Sequence, residues 1–167
     1  MIEMKIAGIA LDAVSRSPIV ILKDDAERRA LPIYIAHEQA RAIINALENH
    51  VPPRPLTHDL LVNLLEAWDI TLERVVIHSL QDNTFFAVLT VRQGDVKKDI
   101  DARPSDAMAI ALRTGSPIWV SEEVILDASL PVDQEADEAE QQAFRDFVAN
   151  LRPEDFKQYD RSSHRDS

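Results

Sequence analysis

Residues 70–102 read ITLERVVIHSLQDNTFFAVLTVRQGDVKKDIDA. Two runs rich in β-branched and aromatic residues flank a short QDN turn, and a third run follows Gly94-Asp95. A turn this short joins neighbouring antiparallel strands only, because a parallel pair needs a crossover of about a dozen residues or more. The middle of the chain therefore reads as a strand meander, which suggests α+β and not a doubly wound sheet.

On either side, period-2 and period-3.6 patterns alternate. Strands are expected over Met4–Val14, Pro18–Lys23 and Ala30–Ile35, and a helix over 37–49, where Ala40, Ile43, Ile44 and Leu47 recur at helical spacing. Three prolines in HVPPRPL end that helix. A second helix is expected over about 57–68, carrying Leu60, Leu61, Leu64 and Leu65, with Thr57 as its N-cap. A third runs over about 104–114, opened by Pro104 and closed by Gly115. PIWV then reads as a short buried strand, SEEVIL as a single Ser121-capped helical turn, and EAEQQAFRDFVANL as a further helix. The 167 residues suffice for one core. The expected class is α+β: a mixed, largely antiparallel sheet with helices packed on it in a single compact domain. Residues 1–128 form that domain, 129–158 add an acidic loop and a C-terminal helix packed on or beside it, and 159–167 make a polar tail expected to be disordered.

The formal charge is −11 and unevenly spread. Residues 1–126 carry 13 Lys and Arg against 18 Asp and Glu, and residues 127–167 carry 5 against 11. Tight non-specific binding to duplex nucleic acid draws on a basic face that displaces counterions, so this balance speaks against it. It leaves room for a local cationic cleft. With no cysteine, disulfides and thiolate metal sites are excluded. Charges interrupt every apolar run before a membrane span is reached, and MIEMKIAGIALDAV lacks the basic n-region of a signal peptide. A cytoplasmic protein of bacterial type is expected.

Two stretches carry chemistry. In DARPSDAMAIAL, Pro104 suits the first helical position and Asp106 the positive end of the helix dipole, which explains both as ordinary helix-start residues. Asp99, Asp101 and Arg103 are left over. Carboxylates with open water positions are how Mg²⁺ or Mn²⁺ is held against a phosphate, and Arg103 with the helix-start amides suits an anion. In RPLTHDLL, Arg54, Thr57, His58 and Asp59 put a cation, a hydroxyl, an imidazole and a carboxylate within six residues. An imidazole titrating near neutrality moves protons, and a carboxylate beside it orients it. The plainer account makes Thr57 a cap, Asp59 a dipole partner and His58 surface. His37, His50, His78 and His164 show no metal-ligand spacing, and Gly8, Gly94 and Gly115, the chain's three glycines, cannot build a phosphate-cradling loop.

Taken together, RPLTHDLLVNLLE, TFFAVLTV, IDARPSDAMAIALRTGSPIWVSEEVI and FRDFVANLRPEDF resemble the bifunctional nuclease domain family. The resemblance covers about residues 4–126. It implies a small α+β domain, often dimeric, acting on both RNA and DNA. The shared positions are Arg54, Pro55, Thr57, His58, Asp59, Asp101, Arg103, Pro104, Ser105 and Asp106. An enzyme cutting both nucleic acids cannot rely on a 2′-hydroxyl and has to activate water. That favours a divalent metal, Mg²⁺ or Mn²⁺, on Asp59, Asp101 and Asp106, with His58 as general base or acid and Arg54, Arg103 and Ser105 on the phosphate. Such a site requires the two Arg-Pro helix starts to meet.

Two alternatives belong to other classes. One is a non-enzymatic dimeric binding or regulatory module whose Arg-Pro motifs are helix starts only. The other is a small-molecule phosphate or nucleotide pocket at the Arg103 helix start.

Overall fold

The computed structural model describes residues 1–132 and, beyond them, Ala139, Gln142, Ala143, Arg145, Asp146 and Ala149, all six helical. Residues 1–132 form one compact unit. The acidic loop and the tail expected at 159–167 lie outside the described residues.

In chain order the elements are β1 (Ile2–Leu11), β2 (Pro18–Asp24), β3 (Arg29–Tyr34), α1 (His37–Leu47), α2 (Thr57–Ala67), β4 (Thr71–Gln81), β5 (Thr84–Gln93), β6 (Val96–Ala102), α3 (Pro104–Thr114), β7 (Ile118–Val120), α4 (Glu122–Ala128) and β8 (Leu130–Pro131). One eight-stranded sheet has the order β6-β5-β4-β7-β1-β2-β3-β8. It consists of two meanders, β1-β2-β3 and β4-β5-β6, joined by three residues. Strand β7 runs antiparallel to β1 and parallel to β4, the one parallel pairing among the described strands. The class expected from the sequence, α+β with a mixed, mostly antiparallel sheet, is the class observed.

Local chemistry sets the element ends. The Asp12 carboxylate accepts from the amides of Val14 and Ser15, both at 2.9 Å, so β1 stops at Leu11 and not at Val14. Asp24 does the same for Arg28 and Arg29 in the β2–β3 turn. Asp82 and Asn83 both take positive φ between β4 and β5, the left-handed conformation that a tight hairpin demands. Ser121 caps α4 by accepting from the Val124 amide at 3.2 Å, and α4 runs for seven residues, longer than the single turn expected. Thr57 is not a cap. The N-cap of α2 is Leu56, whose amide donates to the Asp59 carboxylate at 3.0 Å, because an acid at the third helical position reaches back over the first turn.

Helix α3 is the centre of the fold. Pro104, Ser105 and every residue from Ala107 to Ala111 are buried, and α1, α2, β4 and β5 all pack on it. Its run of alanines lets α1 and α2 approach closely, while Met108 and Ile110 fill the core. Gly115 ends it at φ 68°, where a residue with a Cβ is strained. Among the described residues no helix is long and apolar enough to cross a membrane.

Candidate functional site

The first turns of α2 and α3 meet. His58 Nε2 lies 2.9 Å from Asp106 Oδ1, and Arg103 Nε donates to Asp106 Oδ2 at 2.7 Å. One helical position along α2, Asp59 Oδ1 accepts from Arg113 Nε at 2.8 Å. Arg113 also donates to the Ala109 carbonyl at 2.8 Å, which fixes its guanidinium on α3. His58, Asp59, Arg103 and Asp106, named from sequence, are therefore one cluster, and the requirement that the two helix starts meet is satisfied.

Arg113 escaped the sequence reading. Its signal was nonetheless present: Asp106 and Arg113 are the two charged positions of an otherwise mostly apolar helix, seven residues apart and so on one face. Charges of opposite sign at that spacing ask for partners on a neighbouring element, and His58-Asp59 supplies them.

The carboxylates are ionised. The Arg113 bond is the strongest influence on Asp59 and, against the cost of burial, holds its carboxyl below the usual range. Burial pushes the Asp106 carboxyl up, but the bonds and charges of Arg103 and His58 together outweigh it and leave that carboxyl low. An ionised carboxylate only accepts, so His58 Nε2 is the donor toward Asp106. That arrangement is an imidazole oriented by a carboxylate.

Next to Arg103 is a cleft of about 400 Å³, lined by Arg103, Pro104 and Ser105 and by Tyr34, Gln39 and Phe85 among others. Ser105 is 6% exposed, and no described residue hydrogen-bonds its hydroxyl. The amides of Ser105 and Asp106 belong to the first turn of α3 and have no carbonyl four residues back within the helix. Hydroxyl, amides and the exposed Arg103 give this end of the cleft the donors of an anion site.

Two of the expected residues stand elsewhere. Arg54 is exposed in the segment before α2, with no hydrogen bond or ion pair to a described residue. Asp101 pairs with Val88 on the edge strand β6, as Asp99 pairs with Thr90. Both acids therefore share a side of the sheet with Val88 and Thr90, opposite the buried side of β5 formed by Ala87, Leu89 and Val91. Thr90 donates to Asp99 at 2.7 Å, and no bond links Asp101 to the cluster. The expected metal triad of Asp59, Asp101 and Asp106 is thus not assembled. Both oxygens of Asp59 and both of Asp106 already accept bonds, and the described residues hold no group of three His, Asp or Glu disposed around a cation. A second cleft, about 500 Å³, is lined by Arg74, Lys97, Lys98 and Trp119 together with Glu73 and Asp99. Its Glu73 is paired with Arg92 at 2.8 Å and Lys97 at 2.9 Å.

Comparison with known proteins bears on this cluster. A family model described as a bifunctional nuclease domain matches residues 20–133, a span containing both helix starts and all the cleft-lining residues but Ser17. An uncharacterised protein found in two strains of Mycobacterium tuberculosis is 38% identical over 163 residues, covering 93% of this chain and 98% of the relative. Rice proteins named bifunctional nuclease 1, from Oryza sativa subspecies indica and japonica, are 26% identical over 126 residues, which is 74% of this chain and 38% of theirs.

Proposed function

The chain belongs to the bifunctional nuclease domain family, and from that premise we propose that it hydrolyses phosphodiester bonds of RNA, DNA or both at the junction of α2 and α3. The observation that carries the reading is the line His58–Asp106–Arg103, with contacts of 2.9 and 2.7 Å, whose Arg103 lines a cleft together with Ser105.

In this reading His58 Nδ1 takes a proton from water as the water oxygen bonds to phosphorus, and Asp106 stabilises the imidazolium that results. The P–O bond to the departing sugar oxygen breaks as that oxygen takes a proton from solvent. Arg103 keeps Nε on Asp106 and turns its remaining N–H groups to a phosphate, so it holds the carboxylate and the substrate at once. The Ser105 hydroxyl and the first-turn amides stabilise charge building on the non-bridging oxygens. Arg54, exposed and unpaired among described residues, binds a flanking phosphate. Asp59 acts through Arg113 and is a positioning residue. Because this arrangement never uses a 2′-hydroxyl, it serves RNA and DNA alike. The donors present do not fit the expected three-carboxylate metal site, so no step runs through Mg²⁺ or Mn²⁺, and the ions enter as variables of the test.

The binding-module alternative has one observation in its favour: the Asp59–Arg113 pair is largely buried and satisfied, as a structural pair should be. The two readings separate on labelled single-stranded RNA and DNA incubated with purified protein in Mg²⁺, Mn²⁺ or EDTA. Cleavage is expected to fall by roughly 10²–10⁴-fold in His58→Ala, the range for loss of a general base. Asp101→Asn should cut as the wild type does. Equal cutting by His58→Ala and wild type refutes the site, and no cutting by wild-type protein in any condition refutes the activity.

A further inference from the structure

The cleft next to Arg103 offers more than a phosphate needs. Ile33, Ile35, Phe85 and Pro104 line it along with Arg103 and Ser105. Phe85 follows Ala87 and Leu89 in the alternation of β5, so its ring stands on the buried side of that strand, where α3 packs, and is itself partly exposed. Ser105 is 6% exposed, and its hydroxyl has no partner among the described residues. Gln39 also lines the cleft, and its Oε1 accepts from the Ala36 amide at 2.9 Å. That bond fixes the side-chain amide and leaves Nε2 without a partner among the described residues. Arg103, Ser105 and the first-turn amides would satisfy an anion alone. An aromatic ring in an apolar wall answers to a flat, weakly polar body attached to that anion.

We propose that the cleft seats one nucleotide of the substrate, its phosphate on Arg103 and Ser105 and its base against Phe85, so that the strand is taken unpaired. The inference rests on hydrolysis at the junction of α2 and α3 and names the substrate class of that site, a single strand. Phe85 is then a specificity-determining residue, and Gln39 assists it.

Size and chemistry agree. A volume of about 400 Å³ lies toward the lower end of the range for small-molecule sites, enough for one nucleotide and too little for a base pair with both its backbones. A base inside a duplex reaches such a pocket only by leaving its stack, which costs free energy that an unpaired base does not spend. Every base has a face that stacks on an aromatic ring, and every base carries edge acceptors for Gln39 Nε2. The seat therefore selects an unpaired base without selecting which base it is.

The test compares the affinity of the full chain for adenosine 5′-monophosphate and for ribose 5-phosphate by calorimetric titration in EDTA, which requires no cleavage. The two ligands share sugar and phosphate and differ in the base, so the wild type should bind the first about tenfold more tightly or better. Phe85→Leu keeps an apolar side chain without the ring and should erase most of that difference. Phe85→Tyr should preserve it, and both variants should keep the wild-type circular dichroism spectrum. On labelled oligonucleotides the wild type should cut a single strand about tenfold faster, or more, than the same strand annealed to its complement. Failure to bind either ligand, or equal affinity for both, overturns the seat. A difference unmoved by Phe85→Leu overturns it too, as does equal cutting of paired and unpaired strands, which leaves the hydrolysis standing. A difference that persists in protein that cuts neither strand keeps the seat and refutes the hydrolysis.

Discussion

At the scale of single residues, the Asp59–Arg113 pair makes the sharpest stability test. Arg113 is 11% and Asp59 25% exposed at the side chain, so removing the acid leaves a mostly buried guanidinium without its counter-charge. Asp59→Ala should cost about 1–3 kcal/mol, below the full penalty for a wholly buried pair. The urea midpoint reports it. The pH dependence follows from the same bonds. Asp59 and Asp106 both have carboxyl pKa values below the ordinary 3.8. A group with a depressed folded pKa contributes stability that is fully present above its unfolded value and is lost as pH falls through the folded one. Wild-type stability should therefore hold above about pH 4 and decline below it, and Asp59→Asn should flatten that decline in thermal melts recorded from pH 6 to pH 2.

Among the elements, β7 carries more than its length suggests. Ile118–Val120 is the seam that joins the two meanders, with β1 on one side and β4 on the other, and Val120 is fully buried. Val120→Ala should cost about 1–3 kcal/mol and should lower the stability of the domain as one cooperative unit, because no other strand bridges the halves. A second element test lies at the end of α3. At Gly115, φ is 68° and nothing stands within 4 Å of an added Cβ, so Gly115→Ala should cost only the backbone strain, about 1 kcal/mol. Both substitutions are read from denaturation midpoints.

The elements also mark what the sequence made legible. Patterns of apolar residues gave the strands, the three long helices and the hairpin at Asp82-Asn83, because each is specified within its own stretch. Sheet order was not legible: nothing local in Ile118–Val120 says that it pairs with both Met4 and Val75. Strand β8, two residues long, has no periodicity to read. For the site, the acids and His58 stood out by type, yet Asp101 and Asp106 looked equivalent five residues apart. The structure separates them, because Asp101 obeys the alternation of a strand and Asp106 the turn of a helix. Arg113 was missed for a related reason: its partner is fixed by how α2 crosses α3, not by anything in RTGSP.

The whole molecule sets how firmly nucleic acid can be held. The chain carries a net charge of −11, yet the proposed site presents two cations to a strand, Arg103 at the cleft and Arg54 before α2. Binding should then be weak and its salt dependence shallow. Each phosphate neutralised on a single strand contributes about −0.7 to the slope of log affinity against log salt, so two contacts give a slope of roughly −1.4. Titration of a labelled oligonucleotide into His58→Ala protein, which binds without cutting, measures this slope directly. Arg103→Ala should bring it near −0.7 and weaken binding at every salt concentration. A slope steeper than about −3 would mean that four or more phosphates are engaged. The cations available for that are Arg74, Lys97 and Lys98 around the second cleft, and the strand would then have to cross the sheet and not the helix junction. Shallow dependence, moved by Arg103 and indifferent to Arg74→Ala, keeps the substrate at the paired helix starts.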